Sequence, residues 1–233
     1  MDTLFDFRGY GWMLWAGLEV TIAVGLSAMV VALAMGLIGA WGKLARNRIA
    51  RAVADTYTTV VRGVPELVLI ILVYYGVTDL LQRLLQWIYG EEVLIDIDRF
   101  TAGVITIGFI YGAFATEVFR GAFIAIPKGQ VEAAKACGMD RILIFRRILL
   151  PQAWRFALPG LGNLWLVLIK ATALMSVIQV PELMRNADIA ARAVRLPFTF
   201  YMAASIVYLG ITIVSMQLQH RAEAWANRGV RRA

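Results

Sequence analysis

Long apolar runs alternate with short polar segments along this chain. The clearest run, from Val20 to Trp41, has no charged residue, and at about 1.5 Å per residue it is long enough to cross a bilayer core of about 30 Å. The same pattern predicts five spans, at about residues 12–41, 56–81, 100–124, 156–179 and 197–219. Interrupted apolar runs also occur as buried helices in soluble proteins. Five of them with so little polar linker favour an all-α, polytopic membrane protein.

Composition supports a membrane protein and excludes some classes of site. Charged residues make up 17% of the chain, against about 25% in soluble domains. The single cysteine, Cys137, rules out an internal disulfide. The single histidine, His220, rules out a clustered histidine metal site. The net charge of +7 would suggest a nucleic acid partner in a soluble protein, but here we expect no nucleic acid and a lipid bilayer instead.

Lysine and arginine are divided unevenly between the two sides that five spans create. One side holds fourteen: Lys43, Arg46, Arg48, Arg51, Lys128, Lys135, Arg141, Arg146, Arg147, Arg155, Arg221, Arg228, Arg231 and Arg232. The other holds six: Arg8, Arg83, Arg99, Arg185, Arg192 and Arg195. Because cytoplasmic loops retain basic residues, this predicts an N-terminus outside and a C-terminus in the cytoplasm. The outer loop of residues 82–99 is acidic, which we interpret as a solvated surface rather than an ion site.

The basic segment of residues 127–151, called the connector below, carries the most informative motif. Small or apolar residues recur in it at steps of three and four, which predicts one apolar and one basic helical face. Gly138 is a poor helix residue and Asp140 is a good N-cap. We therefore expect two short helices that meet at Gly138 to Asp140. Such a segment either lies on anionic lipid or docks a cytosolic partner.

The connector resembles the cytoplasmic loop of permeases in binding-protein-dependent ABC importers. That loop has the pattern E-A-A-x3-G-x9-I-x-L-P, and every position of it is present here. The matching residues, with the cap, are Glu132, Ala133, Ala134, Gly138, Asp140, Ile148, Leu150 and Pro151. The resemblance implies that these residues couple the chain to an ATPase subunit, so we favour docking over lipid binding.

Further motifs resemble the polar amino acid branch of this family. They are the segment from Arg62 to Leu67 (RGVPEL), residues 117–123 (EVFRGAF) and residues 170–178 (KATALMSVI). The chain most resembles the Q-type permeases of the histidine and lysine/arginine/ornithine importers and of their octopine and nopaline relatives. This resemblance implies import of a polar amino acid, in particular a basic one, or of an opine across the bacterial inner membrane. It also implies one permease domain over residues 1–233, a periplasmic binding protein and an ATPase dimer. The second permease it implies is a homologous chain in preference to an identical copy.

Energy has to come from a partner chain. No G-x-x-x-x-G-K-[ST] loop is present to hold ATP. The nearest run, Gly36 to Lys43, fails on spacing and is followed by a leucine. We therefore expect a transport subunit that is not an enzyme and binds no cofactor itself, with ATP and Mg²⁺ on the partner ATPase.

Charged residues inside the predicted spans need a partner, because each costs about 2.5–3.5 kcal/mol at mid-bilayer on insertion scales. Arg62 and Glu66, like Glu117 and Arg120, are spaced to pair on one helical face, although Pro65 can kink the helix between the first two. The alternative is that some of them line the substrate route. The candidates for that route are Glu19, Arg62, Glu66, Glu117, Lys170, Thr172 and Ser176. Lys170 would meet a substrate carboxylate, and Glu66 or Glu19 a substrate amine.

The segment of residues 181–197 is bracketed by Pro181 and Pro197. Its charges recur at three- and four-residue spacing, which predicts a short amphipathic helix at the outer surface. Such a helix would be either part of an outer gate or a solvated link.

Other classes of function fit the sequence less well. A secondary transporter would use the intramembrane acids as a proton relay, but it leaves the connector motif without a role. A membrane enzyme needs a nucleophile, a base and an orienting group, and none come together in this sequence. An assembly protein is the least specific alternative.

Overall fold

The computed structural model describes residues 7–90 and 98–227. The helices are α1 (Gly11–Leu44), α2 (Arg48–Gly63), α3 (Glu66–Ile71), α4 (Val77–Tyr89), α5 (Arg99–Ile124), α6 (Lys128–Ala136), α7 (Arg141–Ile144), α8 (Leu150–Ala171), α9 (Leu183–Val194) and α10 (Pro197–Ala226). π-Helical turns over Leu72–Gly76 and Phe145–Leu149 join α3 to α4 and α7 to α8. A 3₁₀ segment, Thr172–Ile178, follows α8.

Five helical stretches of the described residues are long and apolar enough to cross a membrane: Gly11–Leu44, Glu66–Ile88, Arg99–Ile124, Arg141–Ile178 and Pro197–Ala226. The predicted number of spans is confirmed. The second span was placed too early, because residues 56–63 belong to the separate helix α2. The predicted outer loop also began too early, because residues 82–89 continue α4. Its acidic residues Glu91, Glu92 and Asp96 and the tail residues Arg228, Arg231 and Arg232 lie outside the described residues.

Helices α1 and α5 form the centre of the fold and run parallel. Gly108 faces Val31, Gly112 faces Met35, and Thr116 faces Gly39, so the contacting positions rise together along both helices. Small residues allow helix backbones to approach closely in a membrane. The main buried cluster surrounds this contact and includes residues of α3, α8 and the 3₁₀ segment.

A second buried cluster forms where α9 packs between the start of α1 and the start of α10. It includes Leu14, Leu183, Ala187 and Phe200. A Cβ built on Gly17 would lie 2.7 Å from the Cα of Leu183, which is too close for any side chain. Helix α9 therefore rests directly on the backbone of α1. The helix predicted for residues 181–197 is confirmed, but one side of it belongs to the protein core.

Candidate coupling and translocation sites

The first helix of the connector and the turn that follows it agree with the sequence prediction. Helix α6 ends before Gly138, whose φ of +75° is a conformation that favours glycine. The Oδ1 atom of Asp140 then accepts the backbone N–H of Leu143 at 2.7 Å and caps α7. The second helix is longer than predicted, because α7 runs through the π-helical turn into α8. The connector is therefore continuous with the fourth span, which begins at Arg141.

The motif residues of the connector divide into a buried and an exposed set. Ala134 is buried, Ile148 is half-buried, and the exposed residues are Glu132, Ala133, Gly138, Asp140, Leu150 and Pro151. The side-chain amide of Gln152 donates to Gln130, which ties α6 to the start of α8. The predicted apolar face is only partly covered, since Ile142 is 70% exposed. Phe145 is exposed as well. This surface can pack against another protein.

Four charged residues form a cluster near the ends of α1 and α5 that adjoin the connector. The predicted Glu117–Arg120 pair is present, with Arg120 Nε 2.8 Å from Glu117 Oε2. Lys43 also donates to Glu117, and its Nζ lies 3.0 Å from Asp55 Oδ1. The sequence did not predict that Lys43 and Asp55 belong to this cluster, because residues of different helices have no spacing pattern that indicates their contact. The cluster is neutral overall and joins α1, α2 and α5.

The predicted Arg62–Glu66 pair is wrong. Val64 is extended, and Pro65 starts a new helix, because proline lacks an N–H and keeps the residue before it out of the helical conformation. Four-residue spacing therefore no longer places Arg62 and Glu66 on one face. The Arg62 guanidinium lies 5.5 Å from the ring centroid of Phe114 instead. The Tyr111 hydroxyl donates to the Glu66 carboxylate at 3.0 Å.

Glu66 begins the second span but lies beside the middle of the third span, α5. Its partner Tyr111 is about 18 Å from Arg99 along α5 and about 20 Å from Ile124, at 1.5 Å per residue. The Glu66 side chain is half-buried. This carboxylate is held by one tyrosine hydroxyl and pairs with no cation among the described residues.

The remaining pathway candidates are not brought together. Glu19 and Lys170 are exposed on α1 and at the end of α8, and neither forms an ion pair with any residue in the described ranges. Thr172 is buried and donates to the carbonyl of Ile169 at 2.8 Å. Ser176 is half-buried in the 3₁₀ segment.

Glu182 has a role that the sequence did not reveal. It is one of the charges of the predicted amphipathic helix of residues 181–197, but it is fully buried. Its carboxylate caps α9 by accepting the N–H groups of Met184 at 2.8 Å and Arg185 at 2.7 Å. The Tyr208 hydroxyl of α10 donates to it at 3.1 Å. Burial raises the pKa of Glu182 to about 7, against the lowering effect of these hydrogen bonds. A signal was present, since an acidic residue after Pro181 sits where an N-cap belongs.

The adjoining outer face of α9 is ordinary solvated surface. Arg192 Nε lies 2.9 Å from Asp188 Oδ1, and the Tyr201 hydroxyl donates to the same oxygen at 2.8 Å. These two hydrogen bonds lower the pKa of Asp188. Arg185, Arg192 and Asp188 of this surface are therefore paired with one another.

Known proteins resemble this chain over almost its whole length. It is 42% identical over 225 residues to the histidine/lysine/arginine/ornithine permease HisQ of Escherichia coli, covering 97% of this chain and 98% of HisQ. It is 45% identical over 231 residues to the nopaline permease NocQ of Agrobacterium fabrum, covering 98% of each. The octopine permease OccQ of Rhizobium meliloti is 41% identical over 228 residues, which cover 98% of this chain and 96% of OccQ.

Solved structures agree with the fold. A crystal structure of an amino acid ABC transporter with histidines superposes with a TM-score of 0.81 at 29% identity, covering 96% of this chain and 99% of that one. A MetNI methionine transporter structure shares the fold with a TM-score of 0.65 at 18% identity, covering 92% of this chain and 94% of that one.

A family model describes the same region. Residues 10–226 match the model for the inner membrane component of binding-protein-dependent transport systems. Members of this family are transport subunits that work with a binding protein and an ATPase, and the five spans and the connector fit that role. The chain belongs to this family and is the membrane-spanning permease subunit of an ABC importer in the inner membrane.

Proposed function

We propose that this permease subunit imports polar amino acids, with basic amino acids or opines as the preferred substrates. The support is the full-length similarity to permeases named for histidine, lysine, arginine, ornithine, nopaline and octopine. The chain acts as one permease domain over residues 1–233 and binds no cofactor itself. ATP and Mg²⁺ are bound by the ATPase subunits.

In the orientation that we propose, the connector lies in the cytoplasm. The described parts of the chain carry most of the basic residues on the connector side, and positive loops stay inside. The N-terminus is then outside and the C-terminus inside. Helix α9 lies at the periplasmic end, where the binding protein arrives.

The exposed connector carries the coupling role. Glu132, Gly138 and Ile142 lie on the exposed surface of a hairpin that is continuous with the fourth span. We assign ATPase coupling to the motif residues. The exposed Glu132, Ala133, Gly138 and Asp140 contact the ATPase, and Ala134, Ile148, Leu150 and Pro151 position the connector helices. ATP closure moves the connector and opens the spans outward, and hydrolysis resets the inward state. Such a cycle requires the ATPase to bind the two states with different affinity.

The substrate route is assigned to a surface shared with a second, homologous permease. Glu66 is its central residue, because it is a half-buried carboxylate beside the middle of α5 with one hydroxyl partner. Arg62, Thr172, Ser176, Lys170 and Glu19 remain candidates along the route. Glu117 contributes through its cluster with Lys43 and Arg120 rather than by meeting substrate. Two chains around a two-fold or pseudo-two-fold axis enclose the path, and a heterodimer is the proposed assembly.

A matched pair of glycine variants tests the coupling role. Gly138 and Gly129 are both exposed in the connector, and a Cβ added at either would meet open space, but only Gly138 has a positive φ. In proteoliposomes with the ATPase, the companion permease and the binding protein, Gly138→Val should abolish the stimulation of ATP hydrolysis by the binding protein. Gly129→Val should retain it. Equal behaviour of the two variants would refute the assignment, and transport abolished by an uncoupler would favour a proton-driven carrier.

Uptake by Glu66→Gln tests the substrate assignment separately. The variant should lower uptake of arginine and lysine by about tenfold and uptake of glutamine much less, because a neutral amide no longer attracts a cationic side chain. Asp79→Asn, in an exposed ion pair with Arg83 on α4, is the control. An equal loss for cationic and neutral substrates would contradict the role of Glu66.

A further inference from the structure

A cleft opens where the start of α8 and the end of α10 diverge. Deeper in the bundle these antiparallel helices are joined, since the indole N–H of Trp165 donates to the Ser215 hydroxyl at 2.9 Å. Toward the connector they separate and leave a cleft of about 540 Å³. Leu150, Pro151, Trp154 and Trp225 give it an apolar lining, and Arg155 stands among them.

The cleft has the chemistry of a membrane–water boundary. Trp225 is 65% exposed and Trp154 is 46% exposed. Indole rings prefer this boundary because one part of the ring is apolar and the N–H is polar. An apolar cleft between two spans, edged by two indoles, fits the upper part of a phospholipid acyl chain.

Arg155 adds an uncompensated positive charge. It is half-buried and its guanidinium lies 5.2 Å from the ring centroid of Phe156. No carboxylate pairs with it among residues 7–90 and 98–227. Glu223 of α10 is not a lining residue and accepts a hydrogen bond from Gln219 at 2.8 Å.

A second cleft at the opposite end provides the contrast. It lies between α1 and α10, holds about 300 Å³ and is lined by apolar residues that include Trp15, Leu18, Ile206 and Val207. None of its lining residues is charged. Both clefts therefore have an apolar lining that includes tryptophan, but only the cleft between α8 and α10 has a guanidinium group.

We propose that the cleft between α8 and α10 is a binding site for an anionic phospholipid of the cytoplasmic leaflet. The acyl chain packs on Leu150, Pro151 and Trp225, and the phosphate accepts hydrogen bonds from Arg155. Arg is well suited to this role, since its planar group matches a phosphate. The inference uses the proposed orientation but not the proposed substrate. The occupied site would lie beside the coupling motif, because Leu150 and Pro151 belong to both.

Lipid retention by the purified importer tests the site. The complex with its ATPase and companion permease is exchanged in detergent into equal amounts of dioleoyl phosphatidylglycerol and dioleoyl phosphatidylcholine, and bound lipids are counted by native mass spectrometry. Wild type should retain phosphatidylglycerol with about fivefold preference, the factor expected when one arginine meets an anionic headgroup. Arg155→Gln should remove the preference. Glycerol 3-phosphate should not compete, because it lacks an acyl chain.

Two matched tryptophan variants test whether the lipid preference belongs to this cleft. Trp225 and Trp15 are 65% and 66% exposed and line opposite clefts. Trp225→Ala should lower phosphatidylglycerol retention, and Trp15→Ala should leave the preference unchanged. Equal retention of the two lipids by wild type, or equal effects of the two tryptophan variants, would overturn the proposal. Phosphatidylglycerol bound only after the ATPase has been dissociated would also overturn it, because protein would then cover the cleft in the importer. Amino acid uptake is measured separately, so failure here leaves the proposed transport function untouched.

Discussion

The connector and the segment around α9 are both short helical insertions between spans, yet they are built in opposite ways. Helix α9 buries Leu183, Ala187 and its capping carboxylate Glu182 against α1 and α10. The connector leaves Glu132 and Ile142 exposed. Burial fixes one segment to its own chain, and exposure leaves the other available to a partner. Substitutions should therefore change stability at α9 and assembly or coupling at the connector.

The largest loss of stability is expected for Gly17→Val. A Cβ at this position meets the backbone of Leu183 at 2.7 Å, and backbone atoms cannot rotate away. Overpacking of this kind costs about 1–3 kcal/mol, and here the upper end is expected. Thermal denaturation in detergent measures it. Gly210→Val, in α10 at a position where an added Cβ has nothing within 4 Å, is the control. Similar melting temperatures for the two variants would mean that α9 does not rest on α1.

The pH dependence of stability tests the buried cap. The pKa of Glu182 is raised to about 7 in the folded chain, so the folded state holds this proton more tightly than the unfolded state. The contribution is fully present below the ordinary glutamate pKa of about 4.5 and is lost as pH rises through about 7. Its size is up to about 3 kcal/mol. In Glu182→Gln the melting temperature should depend less on pH between about 5 and 8 than in wild type. An unchanged pH dependence would contradict the burial of this carboxylate.

A smaller effect is expected at the charge cluster of Lys43, Asp55, Glu117 and Arg120. Lys43→Met removes the ion pair with Asp55 and leaves Arg120 as the partner of Glu117. We expect the free energy of unfolding to fall by about 2 kcal/mol, less than when a deeply buried pair is broken. Asp55→Asn should cost less, because Asp55 is exposed and Lys43 keeps Glu117. Chemical denaturation in detergent ranks the two. The reverse order would show that Lys43 is held mainly by Asp55.

The smallest change in stability, with a large change in function, is expected for Ile142→Ser. The side chain is 70% exposed, so the melting temperature should shift by less than the equivalent of about 0.5 kcal/mol. Retention of the ATPase on an affinity column should fall several-fold, because an apolar contact is lost. Leu209→Ser on α10, also exposed but far from the connector in sequence, is the control. Unchanged ATPase retention would remove Ile142 from the docking surface.

Local signals in the sequence predicted the elements well where one residue decides the conformation. Gly138 and Asp140 marked the connector turn, whereas Pro65, expected only to kink a helix, separates α2 from α3. The hydrophobic pattern did not separate α2 from the second span at residues 56–63, because α2 has an apolar face of its own. It also could not show contacts between distant segments. Lys43 meets Glu117, and Glu182 meets Tyr208, only because α1 packs beside α5 and α9 packs beside α10.

The continuous helical stretch from Arg141 to Ile178, which includes one π-helical turn and ends in a 3₁₀ segment, would make the connector one arm of a lever. Its contact with α10, where Trp165 meets Ser215, lies about 35 Å along the helix from Ile142 and about 20 Å from Ile178 at 1.5 Å per residue. If the helix pivots there, a push of about 3 Å at the connector swings the far end by about 2 Å in the opposite direction, as the ratio of these arms requires. Bending at Pro159, which lies inside this helix, would absorb part of the stroke. The stiffness of one helix would then set how much of the ATPase's motion reaches the outer face.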